Sequence, residues 1–289
     1  MDHFIYHNDK MLSAEKAALR ADLAGLLYGW GVFTTLRIHK GEAFAFDRYW
    51  DRLVRHASSS RITPPEKEEV EKGVIELIEA NSRHEGRARI TLVKGTAGGW
   101  RAGMGRESEF LIFTSAESRA PQNDLSLTVS PVRLLSSSPL AGIKRTAMLE
   151  HLFALEEARS RNFDEAILLN ERGEVVSASS GNIFWVEGDE IFTPALATGC
   201  IAGVIRSFII DIARRMRIHL IEGSHTLQRV HDANEVFITS TARLITPVSY
   251  FDIKEYDADK SRLTRIMISE FQKLLRNAKL TNKQSDAKR

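Results

Sequence analysis

The feature that most constrains this chain is a break near its middle. Residues 115–124 are polar, contain Pro121 and show no hydrophobic periodicity, whereas β-rich runs and amphipathic helical stretches intermix on both sides. That organisation predicts a mixed α/β (α+β) chain of two domains. An N-terminal α/β domain is expected over residues 1–115, a linker over 116–124, a second domain over 125–276 and a polar tail over 277–289. With 289 residues, 43% of them hydrophobic, each half carries enough apolar side chain for a core of its own.

Period-two alternation predicts strands at 4–7, 31–38, 88–93 and 110–114 in the first half, with Lys40-Gly41 turning the second of these into a hairpin partner at 43–46. Helices are expected at 47–58 and, opened by Pro64-Pro65, to residue 81. A glycine-rich segment, 94–100, separates the last two strands. In the second half, strands are expected at 125–131, 165–169, 182–186, 190–193, 218–222, 236–239 and 246–252. Helices are expected at 145–160, 202–216 and 258–276, with a short one near Thr226. Within 145–160, Met148, Leu149, Leu152, Phe153 and Leu155 recur at helical spacing.

Forty basic and 38 acidic residues leave a net charge of +2, too balanced for a nucleic-acid or membrane partner to be expected. A single cysteine, Cys200, rules out an intrachain disulfide and reads as a small packing residue. The N-terminal residues lack the apolar centre of a signal peptide, and no run approaches the roughly 20 apolar residues that span a bilayer, so a cytoplasmic protein is the expectation. His56, His84, His151 and His225 have no metal-ligand spacing, and no metal is expected.

Three segments suit an anion. Residues 199–206 form a glycine-containing turn entering a helix, whose first N–H groups and positive dipole end favour a phosphate. Thr239-Ser240-Thr241 ends a β-rich run with three hydroxyls, and Arg52 follows Tyr49 and Trp50 on a helix, where its guanidinium can grip a phosphate through two hydrogen bonds. Each is a weak signal alone. Lys144 follows Gly142-Ile143; a buried lysine with a lowered pKa can attack an aldehyde, but spacing alone does not separate this lysine from solvated ones.

Several ordered segments resemble the class IV aminotransferase family. They are Tyr28-Gly29-Trp30-Gly31-Val32-Phe33-Thr34-Thr35-Leu36-Arg37 with Phe46-Asp47-Arg48-Tyr49-Trp50-Asp51-Arg52-Leu53; Lys144 with Leu149-Glu150 and Ala158-Arg159; Asp164-Glu165-Ala166-Ile167-Leu168-Leu169-Asn170 with Ser180-Gly181-Asn182-Ile183-Phe184; Thr193-Pro194-Ala195-Leu196 with residues 199–206; and Phe237-Ile238-Thr239-Ser240-Thr241 with Thr246-Pro247-Val248 and Phe251-Asp252-Ile253. The resemblance implies a two-domain fold-type IV enzyme, a smaller N-terminal α/β domain and a larger barrel-like domain, with pyridoxal 5′-phosphate between them, and a homodimer acting on a small amino substrate. It implies Lys144 as the Schiff-base lysine, Arg52 on the cofactor phosphate, Val204 and Ile205 as backbone donors to that phosphate and Thr241 as a hydroxyl donor.

One position departs from the family. Where it places a glutamate on the pyridine nitrogen, five residues before Asn182, this chain has Ser177, while Glu174 lies three residues further back and, on a strand, faces the other way. A hydroxyl stabilises a protonated pyridine less than a carboxylate does, which predicts a weaker electron sink and slow full transamination. Phe33-Thr34-Thr35-Leu36-Arg37 resembles the Phe-Thr-Thr-x-Arg of aminodeoxychorismate lyases, which implies Thr35 as an acid near the leaving pyruvate. The basic, glycine-rich segment resembles theirs too, with Lys94 or Arg101 positioned to meet a substrate carboxylate. The expected reaction is therefore release of pyruvate and 4-aminobenzoate from 4-amino-4-deoxychorismate, a step in folate biosynthesis. Transamination of branched-chain or D-amino acids, and a non-catalytic cofactor-binding role, remain the alternatives.

Overall fold

A computed structural model describes residues 3–95, 107–116, 124–257 and 261–285, with side chains as far as 277. Arg101, most of the glycine-rich segment and most of the expected linker lie outside the described residues. The chain forms two compact units, Met1–Arg119 with Ile143–Met148, and Ala120–Gly142 with Leu149–Arg289.

The first unit contains β1 (Phe4–His7), β2 (Lys10–Ser13), α1 (Ala24–Leu27), β3 (Gly31–His39), β4 (Glu42–Ala43), α2 (Phe46–Ser59), α3 (Lys67–Ala80), β5 (Glu85–Lys94) and β6 (Ser108–Ala116). Its six strands make an antiparallel sheet in the order β2-β1-β6-β5-β3-β4. Because side chains alternate across a strand, β3 sends Val32, Thr34, Leu36 and Ile38 to one face, where all four are fully buried. Helix α2 covers that face with Tyr49, Trp50, Leu53 and Ala57, and α3 adds Val70, Val74 and Leu77. Gly73 lets α3 come close: a Cβ there would meet the Tyr6 ring at 3.0 Å.

Two sequence expectations need correction in this unit. The hairpin partner expected at 43–46 is only Glu42–Ala43, because Ala45 turns left-handed (φ 53°) and Phe46 already begins α2. The helix expected from residue 145 begins at Leu149. Residues 144–146 are instead bound to the edge of β3. Phe33 N–H donates to the Lys144 carbonyl (3.0 Å), Thr146 N–H donates to the Gly31 carbonyl (2.8 Å), and Val32 bridges Arg145. Backbone groups committed to a strand edge cannot also close helical turns.

The second unit contains β7 (Leu125–Leu134), α4 (Leu149–Ser160), β8 (Glu165–Asn170), β9 (Val175–Ala178), β10 (Asn182–Glu187), β11 (Glu190–Pro194), α5 (Val204–Met216), β12 (Leu220–Gly223), α6 (Leu227–Asp232), β13 (Glu235–Ser240), β14 (Leu244–Phe251), β15 (Lys254–Glu255) and α7 (Arg262–Ser285). Its sheet runs β12-β11-β10-β13-β14-β7-β8-β9, with β15 beside β14. Pairs β7/β8, β7/β14 and β11/β12 are parallel and the rest antiparallel. Leu127, Ile167, Ile183, Trp185, Ile238 and Phe251 are among the side chains of one continuous core. Helix α4 packs through small residues, Ala154 and Ala158 against Ala166 and Leu168. The apolar spacing read from the sequence does not mark that contact: Leu149, Leu152 and Phe153 are exposed. Glu235 caps α7, accepting from Leu263 N–H (3.1 Å) and from the N–H and hydroxyl of Thr264 (both 2.8 Å).

Candidate active site

In the first unit the chemistry gathers around one aromatic ring. Phe33 lies on the face of β3 opposite the helices, with Thr35 and Arg37. Their partners on β5 are Thr91, Arg89 and Arg87, which share that face. The Arg89 guanidinium sits 3.6 Å from the centre of the Phe33 ring and the Lys144 ammonium 4.5 Å from it, a cation–π arrangement on both counts. Arg89 Nε donates to the Thr91 hydroxyl at 3.3 Å. No carboxylate among the described residues pairs with Arg89 or Lys144.

Burial, then the charges of Arg52 and Arg89, push the Lys144 amine down to about 7. A lysine in this state is substantially unprotonated at neutral pH and therefore nucleophilic. Arg52, on the buried face of α2, donates to the Thr34 hydroxyl (2.7 Å) while its Nε is buried without a partner. Burial lowers its pKa to about 10. A desolvated guanidinium that donates to a hydroxyl is suited to meet an anion. His56, one turn beyond Arg52, accepts a hydrogen bond at Nδ1 from the Lys144 backbone N–H (3.0 Å). Burial and the charges of Arg52, Arg55 and Lys144 hold its pKa down to about 4.

The structure thus brings Lys144, Arg52 and Thr35 into one unit, and adds Arg89 and His56, which sequence reasoning passed over. A strand beginning at 88 hides the Arg87/Arg89 alternation, and a contact across 88 residues leaves no local trace of His56. Lys94 is also in this unit, with its ammonium 3.0 Å from Glu107.

In the second unit, Val204 and Ile205 open α5 after Gly203, with no side chain capping that end. A Cβ on Gly203 would collide with Asn182 Oδ1, and Asn182 Nδ2 donates to the Ile201 carbonyl (2.8 Å), so the turn is held by close approach. Thr239, opposite Asn182 across β13 and β10, has a buried hydroxyl without a partner. Thr241 follows in the turn to β14. Ser177, on β9, is buried opposite Leu168 of β8. The buried carboxylate nearest in sequence, Glu165, is occupied by the hydroxyls of Ser179 and Ser180. The free thiol of Cys200 is buried, and burial raises its pKa.

With this geometry in view, similarity to known proteins is informative. The model of amino-transferase class IV proteins matches residues 31–251. This chain belongs to the class IV amino-transferase family. A "Putative branched-chain-amino-acid aminotransferase" of Methanocaldococcus jannaschii is 31% identical over 252 residues, 86% of this chain and 88% of that protein. An aminodeoxychorismate lyase of Bacillus subtilis is 28% identical over 281 residues, 94% of this chain and 95% of that protein. The crystal structure of a branched-chain aminotransferase from Thermoproteus uzoniensis with norvaline superposes with a TM-score of 0.88 at 26% identity, covering 95% of each chain. The fold is accordingly the fold-type IV arrangement, and the chain is an enzyme, a pyridoxal 5′-phosphate-dependent lyase or transaminase acting on a small amino substrate. Its residues fit the cofactor: a neutral amine for the aldehyde, and a buried guanidinium and an uncapped helix start suited to a phosphate. No helix among the described residues is long and apolar enough to cross a membrane.

Proposed function

We propose that this enzyme is a 4-amino-4-deoxychorismate lyase, working as a homodimer and releasing pyruvate and 4-aminobenzoate. The observation that carries the reading is the face of β3 and β5 that presents Thr35 directly opposite Arg89, beside the Lys144 amine and in line with Arg37 and Arg87. A dicarboxylate substrate has a use for Arg89, which pairs with no carboxylate among the described residues, whereas a branched aliphatic side chain has none; Arg37 on the same face is paired with Glu85 at 3.8 Å.

Pyridoxal 5′-phosphate, when bound, supplies the aldehyde and the electron sink. The protein supplies the rest. By resemblance to the family, Arg52, the N–H groups of Val204 and Ile205, and the Thr241 hydroxyl would hold the phosphate. Lys144 Nζ, its pKa held down to about 7, would be the nucleophile for that aldehyde and the group that carries the substrate proton. Arg89 would orient a substrate carboxylate, with Arg101 a second candidate from the sequence alone; Lys94 would serve only by leaving Glu107. Thr35 gives its hydroxyl proton to the departing pyruvate. Ser177 would be the neutral group at the pyridine nitrogen; aromatisation of the product drives the elimination and would lessen the need for a carboxylate there.

Incubating the loaded enzyme with aminodeoxychorismate should give pyruvate and 4-aminobenzoate in equal amounts. Amino-group exchange with branched-chain or D-amino acids and a keto acid, without that elimination, would establish the second reading, which the aminotransferase relatives favour. Ser177→Glu should speed half-transamination of an amino acid; a slower rate contradicts the neutral-partner role.

A further inference from the structure

We infer that His56 is a positioning residue for Lys144, holding the segment that carries the amine through a hydrogen bond to its main chain. The inference rests on Lys144 being the cofactor lysine. Each backbone polar group of Lys144 has one fixed partner: its carbonyl accepts from Phe33 N–H on β3 (3.0 Å), and its N–H donates to His56 Nδ1 (3.0 Å). The first bond ties the residue to the sheet and the second to α2. Helix geometry puts His56 on the same face of α2 as Arg52, four residues earlier. One rigid element therefore holds both the guanidinium bonded to Thr34 and the main chain beneath the reactive amine.

Accepting a hydrogen bond at Nδ1 requires a lone pair there, so the imidazole is neutral with its proton on Nε2. Protonation would turn the acceptor into a donor facing another donor. It would also add a positive charge to a group of cations: Arg52 and Arg55 from its own helix, and Lys144 from the segment packed against it. Burial and those charges keep the ring neutral down to about pH 4, so the bond persists through the range in which Lys144 works. A neutral acceptor also anchors the segment without placing a negative charge there, which would draw the amine back toward its protonated form. An aspartate would bind the same N–H at that cost.

The test uses the full chain with His56→Leu, which removes the acceptor, and His56→Asn, whose Oδ1 lies near the position of Nδ1. Melting temperatures establish that each variant folds. The pKa of Lys144 is read by peptide mapping from the pH dependence of its acylation in cofactor-stripped protein. The pH midpoint of the visible cofactor band is read in loaded protein. In His56→Leu the loosened segment should let water reach the amine, raising its pKa by one unit or more, so that acylation at pH 7 falls about fivefold or more. The band midpoint should move with it. His56→Asn should keep both values close to those of the parent. A folded His56→Leu chain with unchanged Lys144 titration reduces His56 to packing and overturns the assignment. If His56→Leu does not fold, His56→Asn decides: a raised Lys144 pKa there overturns it equally. Lys144→Ala separates the two claims. A visible band surviving in that variant overturns the cofactor-lysine reading itself, whereas a lost band beside an unmoved His56→Leu profile overturns only the role of His56.

Discussion

Thr34 and Thr35 are neighbours of the same type with opposite surroundings. Thr34 points into the face packed by α2, has no exposed surface, and accepts from the Arg52 guanidinium. Thr35 points to the other face, keeps some exposure, and lies opposite Arg89. The same division runs along β3, where Val32, Leu36 and Ile38 fill a core while Phe33 and Arg37 join the second face. A single strand thus separates stability from chemistry by the period of its side chains. Residues on the covered face are answerable to packing, and those on the other face carry the proposed chemistry.

The two faces should respond differently to substitution. The largest effect is expected from Thr35→Val, which removes the proposed acid: kcat should fall about 100-fold or more while the melting temperature holds. A variant with full activity would remove Thr35 from the reaction. Leu36→Ala on the covered face should do the reverse, costing about 2–5 kcal/mol in denaturant unfolding while folded protein keeps its kcat. Thr34→Val should cost about 1–3 kcal/mol, because it strips the buried Arg52 of its hydroxyl partner. It should also weaken cofactor retention, measured by dialysis, if Arg52 needs that partner to stay oriented. The smallest effect belongs to Glu107→Gln. Glu107 in this pair is exposed while Lys94 is half-buried, and an ion pair with a solvated carboxylate contributes little to stability. A larger loss would show that the pair orders the sheet end it closes.

Much of this was legible in the sequence, for a physical reason. The alternation at 31–38 and the helical period at 47–58 are local, so β3 and α2 emerged close to their observed bounds. Among the short strands, β1 was read at 4–7 but β2, β9 and β15 were missed, since two to four residues carry at most one or two alternations. The segment around Lys144 was misread as helix because its apolar spacing is helical, while its backbone partners lie on β3, over a hundred residues away in sequence. On its own chemistry Lys144 was one lysine among many. Resemblance singled it out, and the structure adds surroundings that suit the proposed role: a ring beneath the amine, two arginines near it, and no carboxylate among the described residues to hold its proton. Arg89 and His56 stayed hidden because each acquires its role through tertiary register alone.

The central claim is that Lys144 is the amine that takes the cofactor. Loading the full chain with pyridoxal 5′-phosphate, reducing it with borohydride and mapping the labelled peptide tests it most directly. The account predicts a single phosphopyridoxyl group, on Lys144, with labelling that rises as pH increases through about 7. Label on another lysine, or none at all, would contradict it.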